Sequence, residues 1–362
     1  MAAITTSVCF FVVFNWPAPS VSSEYKNWLV GWNYRKSHDI QGSTGAGTDY
    51  QIKITVNYKA GVDSSSDVYL DEKCQKNFAD IRFTGVDGLT LLNYWVETKV
   101  DAGSAVFWIK IPYDLDFNQT IYLYYGNSTV SSMSSMEQTF PFSDDFSGNS
   151  LNASNWWTYG LGTITIGGGE CKLESVSGDR GWIYLIGKNQ FGMNYSVRFR
   201  SLVIEQGYDR WTHHGFATIF NSSDNGYGRI DEYPNYITAS QEATYYAWSL
   251  RTREYSNTSR LDLSNDAPAV GVFYTYEIQR NATTNTVLTC NDVLQGTLST
   301  NVPTINMGAM FSADNAASNL YSVTVIDWVL IRKTVAIEPQ NGAWSAAETV
   351  LAKNPLNFST VS

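Results

Sequence analysis

Apolar and polar residues alternate with a period of two along most of the chain, as they do in strands with one buried face. In residues 51–58 (QIKITVNY) this pattern places Ile52, Ile54 and Val56 on one face. Helical periodicity is nearly absent, and turn sequences such as Asn225-Gly226 separate the segments. Further strands are predicted at 104–111, 120–125, 195–199, 272–278 and 321–333. The pattern predicts an all-β protein of two tandem β-sandwich (jelly-roll) domains.

The small residues of 131–138 (SSMSSMEQ) mark a boundary between these domains. We therefore expect one β-sandwich over residues 24–130 and a second over 140–336. Residues 337–362 contain Pro339 and Pro355 and are weakly patterned, which predicts a linker or tail.

The N-terminus carries a short apolar run, 7–16 (SVCFFVVFNW), followed by Pro-Ala-Pro-Ser. This arrangement predicts a signal peptide over residues 1–23. No Lys or Arg precedes Lys26, however, so the usual basic start is missing. The alternatives are an ordinary N-terminal strand, or a donor strand that inserts into a neighbouring subunit.

The composition favours an extracellular β-protein. Apolar residues make up 43% and aromatic residues 14%, enough for a sizeable core, whereas charged residues make up only 16%. The net charge of −10 argues against a nucleic-acid partner, because phosphate binding requires a basic surface. No apolar run reaches the roughly 18 residues of a membrane span. These features predict a secreted or cell-surface location.

The cysteines and sequons add two expectations. Cys171 and Cys290 fall in the same predicted domain and are candidates for a disulfide, which leaves Cys74 unpaired and buried. Asn-x-Ser/Thr sequons predict a glycoprotein if the host glycosylates. They begin at Asn118, Asn127, Asn152, Asn194, Asn221, Asn257, Asn281 and Asn357.

The first domain contains five segments that together carry a family resemblance. They are 32–36 (WNYRK), 79–83 (ADIRF), 93–97 (NYWVE), 105–112 (AVFWIKIP) and 121–127 (IYLYYGN). In this order they resemble a family of unknown function found in archaeal and bacterial cell-surface proteins. The resemblance implies an extracellular β-sandwich, often joined to lectin-like modules, and implies no known activity.

The second domain carries a resemblance at its two ends. The opening 142–148 (FSDDFSG) and the closing 325–332 (VIDWVLIR) resemble the concanavalin A-like lectin/glucanase (laminin G-like) superfamily. The resemblance implies a jelly roll of two sheets with a structural calcium ion, for which Asp327 would give its carboxylate and Asp145 mainly a carbonyl. Alternatively, Asp327 accepts N–H bonds or pairs with a basic residue.

Glucanases of this superfamily carry Glu-x-Asp-x-Glu or Glu-x-Asp-x-x-Glu on a central strand, and the chain lacks both patterns. Glu170 and Glu174 share a face, but Lys172 stands where the central Asp would be. Asp231 and Glu232 are adjacent and point to opposite faces, whereas a retaining glycosidase needs carboxyl groups about 5–5.5 Å apart. No Ser-His-Asp arrangement is indicated. We therefore expect that the protein is not an enzyme, with a glycoside hydrolase of unfamiliar site as a less favoured alternative.

Sugar binding combines aromatic faces with a few fixed polar groups, and residues 205–255 are rich in both. The predicted ligand-binding residues are Trp211, His213, Tyr227, Arg229, Asp231, Tyr246 and Trp248. The alternative is that these aromatic residues fill the core or cover a sheet.

The sequence as a whole predicts a non-catalytic extracellular protein that binds glycans or surface glycoproteins, or mediates adhesion, through a lectin-like domain. The alternative is structural: a self-assembling subunit of a filament or envelope layer that pairs strands with its neighbours.

Overall fold

The computed structural model describes residues 27–176, 181–205, 210–218, 235–242, 247–263, 268–281, 285–315 and 321–350. Within these ranges the chain forms strands and one four-residue helix, α1 (Met136–Thr139). The strands make four sheets, which pair into two β-sandwiches. The predicted all-β fold with two sandwich domains, the second a jelly roll, is confirmed. No helix among the described residues has the length and apolar character needed to cross a membrane.

The first sandwich packs a six-stranded sheet on a four-stranded sheet. Its strands are β1 (Tyr34–Gln41), β2 (Tyr50–Asn57), β3 (Asp67–Tyr69), β4 (Arg82–Thr84), β5 (Leu91–Leu92), β6 (Tyr94–Lys99), β7 (Ser104–Ile111), β8 (Gln119–Tyr125), β24 (Gln340–Trp344) and β25 (Glu348–Thr349). The larger sheet has the order β24-β1-β8-β4-β5, with β25 also paired to β1, and the smaller sheet has the order β3-β2-β7-β6.

The second sandwich is the jelly roll. Its strands are β9 (Phe142–Asp144), β10 (Trp156–Gly160), β11 (Thr163–Gly167), β12 (Glu170–Glu174), β13 (Ile183–Gly187), β14 (Tyr195–Glu205), β15 (Arg210–Ala217), β16 (Asn235–Glu242), β17 (Ala247–Glu254), β18 (Asn257–Asp262), β19 (Tyr274–Asn281), β20 (Asn285–Cys290), β21 (Val293–Leu298), β22 (Gly308–Asn315) and β23 (Val323–Lys333). A seven-stranded sheet runs β10-β13-β22-β15-β16-β17-β18. An eight-stranded sheet runs β11-β12-β23-β14-β19-β20-β21, with β9 paired to β23.

The period-two pattern determines which side of each strand faces the core. In β2, Ile52, Ile54 and Val56 are 4% exposed or less and belong to the core of the first sandwich. In β12, Cys171 and Leu173 are fully buried in the core of the jelly roll. Burying one aliphatic side chain contributes about 1.5–3 kcal/mol to the free energy of folding. A strand with apolar side chains at alternate positions gains this energy at each of them when that side packs in the core.

The segment 340–349 is part of the first sandwich, and its prediction as linker or tail was wrong. β24 and β25 both pair with β1, so the chain returns to the first domain after completing the jelly roll. Trp344 stacks on His38 with ring centroids 3.9 Å apart. Glu348 forms an ion pair of 3.0 Å with the buried Arg35. We call residues 340–349 the return segment, and it makes the jelly roll an insertion between β8 and β24.

An apolar contact joins the two sandwiches. The outer face of the four-stranded sheet contributes Trp95 and Trp108, and the outer face of the eight-stranded sheet contributes Trp328 and Leu330. Trp95 and Trp328 meet edge to face, with centroids 5.2 Å apart. The outer side of the eight-stranded sheet is therefore occupied by the first domain.

A buried network of charges lies beside this apolar contact. Arg198 of β14 is 2% exposed and binds Glu97 of β6 across the domain boundary at 2.7 Å. The same guanidinium reaches Glu277 at 3.2 Å and Asp292 at 2.8 Å, and Arg332 binds Glu277 at 2.7 Å. Burial opposes the charge of Arg198, but the attraction of Glu97, Glu277 and Asp292 outweighs burial and raises its pKa. Each domain thus supplies charges that neutralise those of the other.

The predicted disulfide between Cys171 and Cys290 is not formed, since both cysteines are free and buried. They lie on β12 and β20, which are four strand spacings apart in the eight-stranded sheet. Four spacings correspond to about 19 Å, whereas a disulfide joins Cα atoms roughly 4.4–6.8 Å apart. Burial raises the pKa of Cys171 to about 12 and that of Cys290 to about 11, so both behave as small apolar residues.

Deleting the return segment should destabilise the first domain, although it leaves residues 27–339 intact. A chain ending at Pro339 loses the strands paired to β1 and leaves Arg35 buried without Glu348, but keeps Glu338 as a partner of Arg332. We expect a fall of at least about 3 kcal/mol in the free energy of unfolding, measured in urea by tryptophan fluorescence. A chain ending at Val350 is the control, and equal stability of the two would contradict the assignment.

Replacing Glu97 should also destabilise the protein. Glu97→Gln removes the charge that the first domain gives to Arg198, and breaking a buried pair costs about 3–5 kcal/mol. The matched control is Lys99→Gln on the same strand, whose exposed pair with Asp101 should be worth less than about 1 kcal/mol. Chemical denaturation measures both, and similar small losses would show that the network does not hold the domains together.

Candidate functional site

The outer face of the seven-stranded sheet, the side turned away from the jelly-roll core, is the candidate site. In its central strand β15, Phe216 packs in the core, so alternation places His213 and Gly215 on the outer face. In β22, Phe311 packs in the core, which places Met310 and Ser312 on the outer face.

Two rows of residues cross this outer face at successive levels of the strand register. The first row is Tyr159, Tyr184, Ser312, His213, Ser240, Ser249 and Asp262. The second row is Trp157, Ile186, Met310, Gly215, Thr238, Arg251 and Arg260. Seven strands at about 4.8 Å make each row roughly 30 Å long. The residues at the centre of the rows are buried, whereas Trp157 and Arg260 at the ends are exposed.

His213 is the central polar group of the first row. Its Nδ1 lies 2.7 Å from Ser240 Oγ, which in turn lies 3.0 Å from Thr238 Oγ1. Burial is the main cause that lowers the pKa of His213 well below its usual value, and the positive charge of Arg251 adds to it. The imidazole is therefore neutral at pH 7 and can both donate and accept a hydrogen bond.

Two buried hydrogen-bond donors on this face have no partner in the described structure. One is Ser312 Oγ, next to His213 in the register, and the other is Trp182 Nε1. Trp182 is 3% exposed and packs against Tyr184 with centroids 5.2 Å apart. A buried donor without a partner costs about 1–3 kcal/mol, so the hydrogen-bonding capacity of these two atoms is unused among the described residues.

Asp314 is the buried carboxylate of the face. Tyr184 Oη donates a hydrogen bond to Asp314 Oδ2 at 2.6 Å. Asp262 also lies on this face, but its strand is four spacings from that of Asp314, about 19 Å. These two carboxylates are too far apart to act on one glycosidic bond, which needs a pair roughly 5–9.5 Å apart.

The structure separates the residues predicted to bind a ligand. Trp211 and His213 lie on β15 with the same facing, so both belong to the outer face. Trp248 does not: it is 3% exposed, packs in the core and meets Tyr276 edge to face at 6.2 Å. Neighbouring residues of a strand point to opposite sides, so Ser249 and Arg251 of β17 face outward while Trp248 faces the core. The predicted residues Tyr227, Arg229, Asp231 and Tyr246 lie outside the described residues.

Sequence reasoning missed the polar and aromatic groups from β13 and β22, namely Tyr184, Ser312 and Asp314. The residues predicted to bind a ligand all lie within 205–255, where aromatic residues are dense. Strand order supplies the missing information, because β22 and β13 lie beside β15 in space although they are distant along the chain. The sequence shows the alternation within each strand, but it does not show which strands lie beside one another in the sheet.

The two residues predicted for calcium are engaged elsewhere in the described structure. Asp327 forms an ion pair with Arg200, which is the basic partner considered as the alternative. Asp145 is exposed and accepts a hydrogen bond from Ser147 N at 3.1 Å. The described residues contain no group of three or more His, Cys, Asp and Glu that could hold a metal ion. Neither contact tests a site to which Asp145 would give mainly a carbonyl, and calcium binding stays a prediction.

The sequons differ in exposure. Asn118, Asn152 and Asn257 are exposed, whereas Asn127 is 9% exposed and accepts hydrogen bonds from Thr129. Asn194 and Asn281 each have a buried side-chain oxygen. Asn221 and Asn357 lie outside the described part of the chain. Among the described sequons, the three exposed asparagines are the accessible acceptors, and glycosylation itself stays a prediction.

Comparison with known proteins places these features in context. The family model of a domain of unknown function (DUF2341) matches residues 77–159, which agrees with the resemblance of the first domain to a family without known activity. The uncharacterized protein MJ1472 of Methanocaldococcus jannaschii is 24% identical over 316 residues, 83% of this chain and 53% of that protein. The chain thus spans about half the length of this relative.

Solved structures resemble the jelly roll in fold. The β-glucanase of Bacillus licheniformis has 13% identity and a TM-score of 0.42, over 53% of this chain and 97% of that one. LamAcat of Zobellia galactanivorans has 15% identity and a TM-score of 0.42, over 54% and 97%. A β-1,3-glucanase of Mycobacterium marinum has 10% identity and a TM-score of 0.41, over 53% and 98%. At such identities the likeness concerns the fold alone.

The prediction that the protein is not an enzyme is overturned by these comparisons, because proteins named as glucanases share the jelly-roll fold. That prediction rested on the absence of a Glu-x-Asp-x-Glu strand. Carboxylates from different strands can also meet across a sheet, so a missing local motif does not exclude a catalytic pair. An assay of this protein must therefore measure cleavage of a glycan as well as binding.

Stability should fall as the pH drops from 7 to 5. Burial lowers the pKa of all three histidines, His38, His213 and His214, and that of His214 falls to about 3. Below pH 6.5 the unfolded chain therefore binds protons that the folded chain does not, which costs up to about 1.4 kcal/mol per pH unit for each histidine. Urea denaturation at several pH values measures the slope.

The variant His214→Gln isolates one of these contributions. Its slope between pH 7 and 5 should be shallower than that of the wild type by about 1 kcal/mol per pH unit. The carboxylates Glu277 and Asp292 have lowered pKa values, so their contribution is lost only at lower pH. Equal slopes in the two proteins would show that His214 is not held neutral.

Proposed function

We propose that this is a secreted or cell-surface protein whose jelly roll binds carbohydrate along the outer face of the seven-stranded sheet. The observation that carries the proposal is a pair of buried donors without partners among the described residues: Ser312 Oγ beside the neutral His213, and Trp182 Nε1 against Tyr184. Both atoms are buried, so a hydroxyl-rich ligand would satisfy them after displacing the groups that cover them.

The aromatic residues of the face suit the apolar part of a sugar, its C–H groups. Trp182, Tyr184 and Tyr236 form one cluster with Met310 on the outer side of the sheet. Aromatic rings pack against the apolar C–H faces of sugars; this cluster is buried, and the exposed Trp157 and the half-buried Trp211 are rings of the same face that a sugar can reach. The combination fits a saccharide better than a purely apolar ligand.

The docking of the two domains supports the same face. Of the two outer faces of the jelly roll, that of the eight-stranded sheet carries Trp328 and Arg198, which the first domain covers. The outer face of the seven-stranded sheet takes no part in these contacts. The low content of charged residues and the exposed sequons Asn118, Asn152 and Asn257 support an extracellular location.

Replacing Ser312 with Ala tests the proposal. Removing an unpaired buried hydroxyl should leave the stability unchanged or slightly raised, because no hydrogen bond within the protein is lost. Binding to a glycan should nevertheless weaken by about fivefold to tenfold, since a hydrogen bond to the ligand is worth about 1 kcal/mol or more. Affinity electrophoresis against neutral and anionic polysaccharides measures the binding.

The control is Ser64→Ala, an exposed serine of the first domain. It should bind as the wild type does. The same incubations are analysed for released oligosaccharides, so that cleavage is detected if it occurs. If the wild type retains no polysaccharide of the panel and releases no product, or if Ser312→Ala binds as tightly as the wild type, the proposed site is wrong.

A further inference from the structure

One end of the eight-stranded sheet is an edge without the features that usually protect one. The strand β11 lies at this end and pairs only with β12 among the described residues. An end strand presents unpaired N–H and C=O groups, and charged side chains, prolines or β-bulges normally keep other strands from pairing with it. The residues of β11 are Thr-Ile-Thr-Ile-Gly, and its register with β12 is unbroken. β11 therefore carries none of these protective features.

Other end strands of the molecule do carry them. At the opposite end of the same sheet, β21 pairs with β20 through an irregular register. The end strand β18 of the seven-stranded sheet contains Arg260 and Asp262. The end strand β6 of the four-stranded sheet contains Glu97 and Lys99, and its register with β7 is also shifted. β11 differs from these three edges in being both neutral and regular.

The chain around β11 is uncharged over a long stretch. Residues 146–169 contain no Asp, Glu, Lys or Arg, although these types make up 16% of the chain. The stretch includes β10, the end strand of the seven-stranded sheet, and only residues 161–162 separate β10 from β11. The end strands of both sheets thus lie on one side of the jelly roll, where Trp157 and Leu161 are exposed.

The described part of the chain leaves β11 accessible. Thr165 at its centre is exposed, whereas Ile164 and Ile166 are half-buried against the core. A Cβ atom added to Gly167, at the end of the strand, would meet no other atom within 4 Å. The side chain of Lys172 on the neighbouring strand β12 is 40% exposed, so the first domain does not extend over this edge.

We propose that β11 pairs with β11 of a second copy of this chain, in antiparallel orientation about a two-fold axis at Thr165. In this register Ile164 of each copy lies opposite Ile166 of the other. Both isoleucines pack against the core of their own jelly roll, so the pairing continues the sheet and its apolar side from one copy to the next. Thr165 lies opposite its own counterpart, and threonine pairs are favourable in sheets.

The charge of the chain favours a second copy at this place. Each copy has a net charge of −10, so two copies repel each other wherever their acidic surfaces meet. The repulsion is smallest where the facing residues are neutral, as they are throughout 146–169.

The proposed dimer has a consequence for the candidate site. The two-fold axis is perpendicular to the paired sheet, so the outer faces of both seven-stranded sheets point to the same side of the dimer. A single polymeric glycan then reaches both faces, which raises the apparent affinity. This consequence, unlike the dimer itself, rests on the proposed carbohydrate function.

The variant Thr165→Lys tests the pairing, because it places two ammonium groups side by side at the axis. We expect the wild type to form a dimer in sedimentation equilibrium, with a dissociation constant of about micromolar size since the interface is small. Thr165→Lys should raise that constant by at least about tenfold, because like charges opposed across an interface are strongly unfavourable. The matched control is Thr297→Lys, at an exposed position of β21, the other end strand of the same sheet. It should dimerise as the wild type does.

A second variant, Thr165→Cys, tests the register. Opposed residues of antiparallel strands have Cα atoms about 4.5–5.5 Å apart, which a disulfide can span. Under mild oxidation Thr165→Cys should form a cross-link between two copies that the wild type and Thr297→Cys lack, seen by electrophoresis without reductant.

Thermal unfolding shows whether each variant is folded, and the cysteine variants decide the matter if Thr165→Lys does not fold. A wild type that remains monomeric overturns the inference and leaves this edge to a strand of another protein. A dimer that Thr165→Lys leaves intact, or that Thr165→Cys does not cross-link, also overturns it, because the two copies must then meet through another surface.

Discussion

The ion pair between Arg198 and Glu97 is the interaction on which the arrangement of the two domains depends. A buried guanidinium is costly unless carboxylates surround it, and one of its three carboxylates comes from the other domain. Separating the sandwiches would leave Arg198 with Glu277 and Asp292 and would expose the aromatic contact between Trp95 and Trp328. The charged network and the apolar contact therefore favour the same docked geometry. The network requires Glu97 to meet Arg198 at one place, and the apolar contact removes aromatic surface from water.

The path of the chain reinforces this geometry. After β23 the return segment goes back to β1, so the jelly roll is attached to the first sandwich at both of its ends. Arg332, near the end of β23, binds Glu277 within the jelly roll and Glu338 just before the return segment. A two-point attachment limits rotation between the domains more than a single linker would, because both connections have to move together.

Docking also occupies one of the two outer faces of the jelly roll. The outer face of the eight-stranded sheet holds Arg198 and Trp328 and is used for the contact with the first sandwich. The seven-stranded sheet places buried hydroxyls and aromatic rings on its outer face, with arginines at one edge. One sheet of the jelly roll thus packs against the first domain, and the other carries the buried polar and aromatic groups on which the proposed site rests.

The sequence by itself determined many of the strands, because alternation reports directly which side of a strand is apolar, as with Ile52, Ile54 and Val56 in β2. It also indicated Trp211 and His213, which do share the outer face. Only the tertiary structure decided which strands are neighbours. For that reason the pairing of β24 with β1, the distance between Cys171 and Cys290, the inward position of Trp248 and the meeting of Arg251 with Arg260 all escaped prediction. Periodicity is a local property of the chain, whereas strand order depends on contacts between residues that are far apart in sequence.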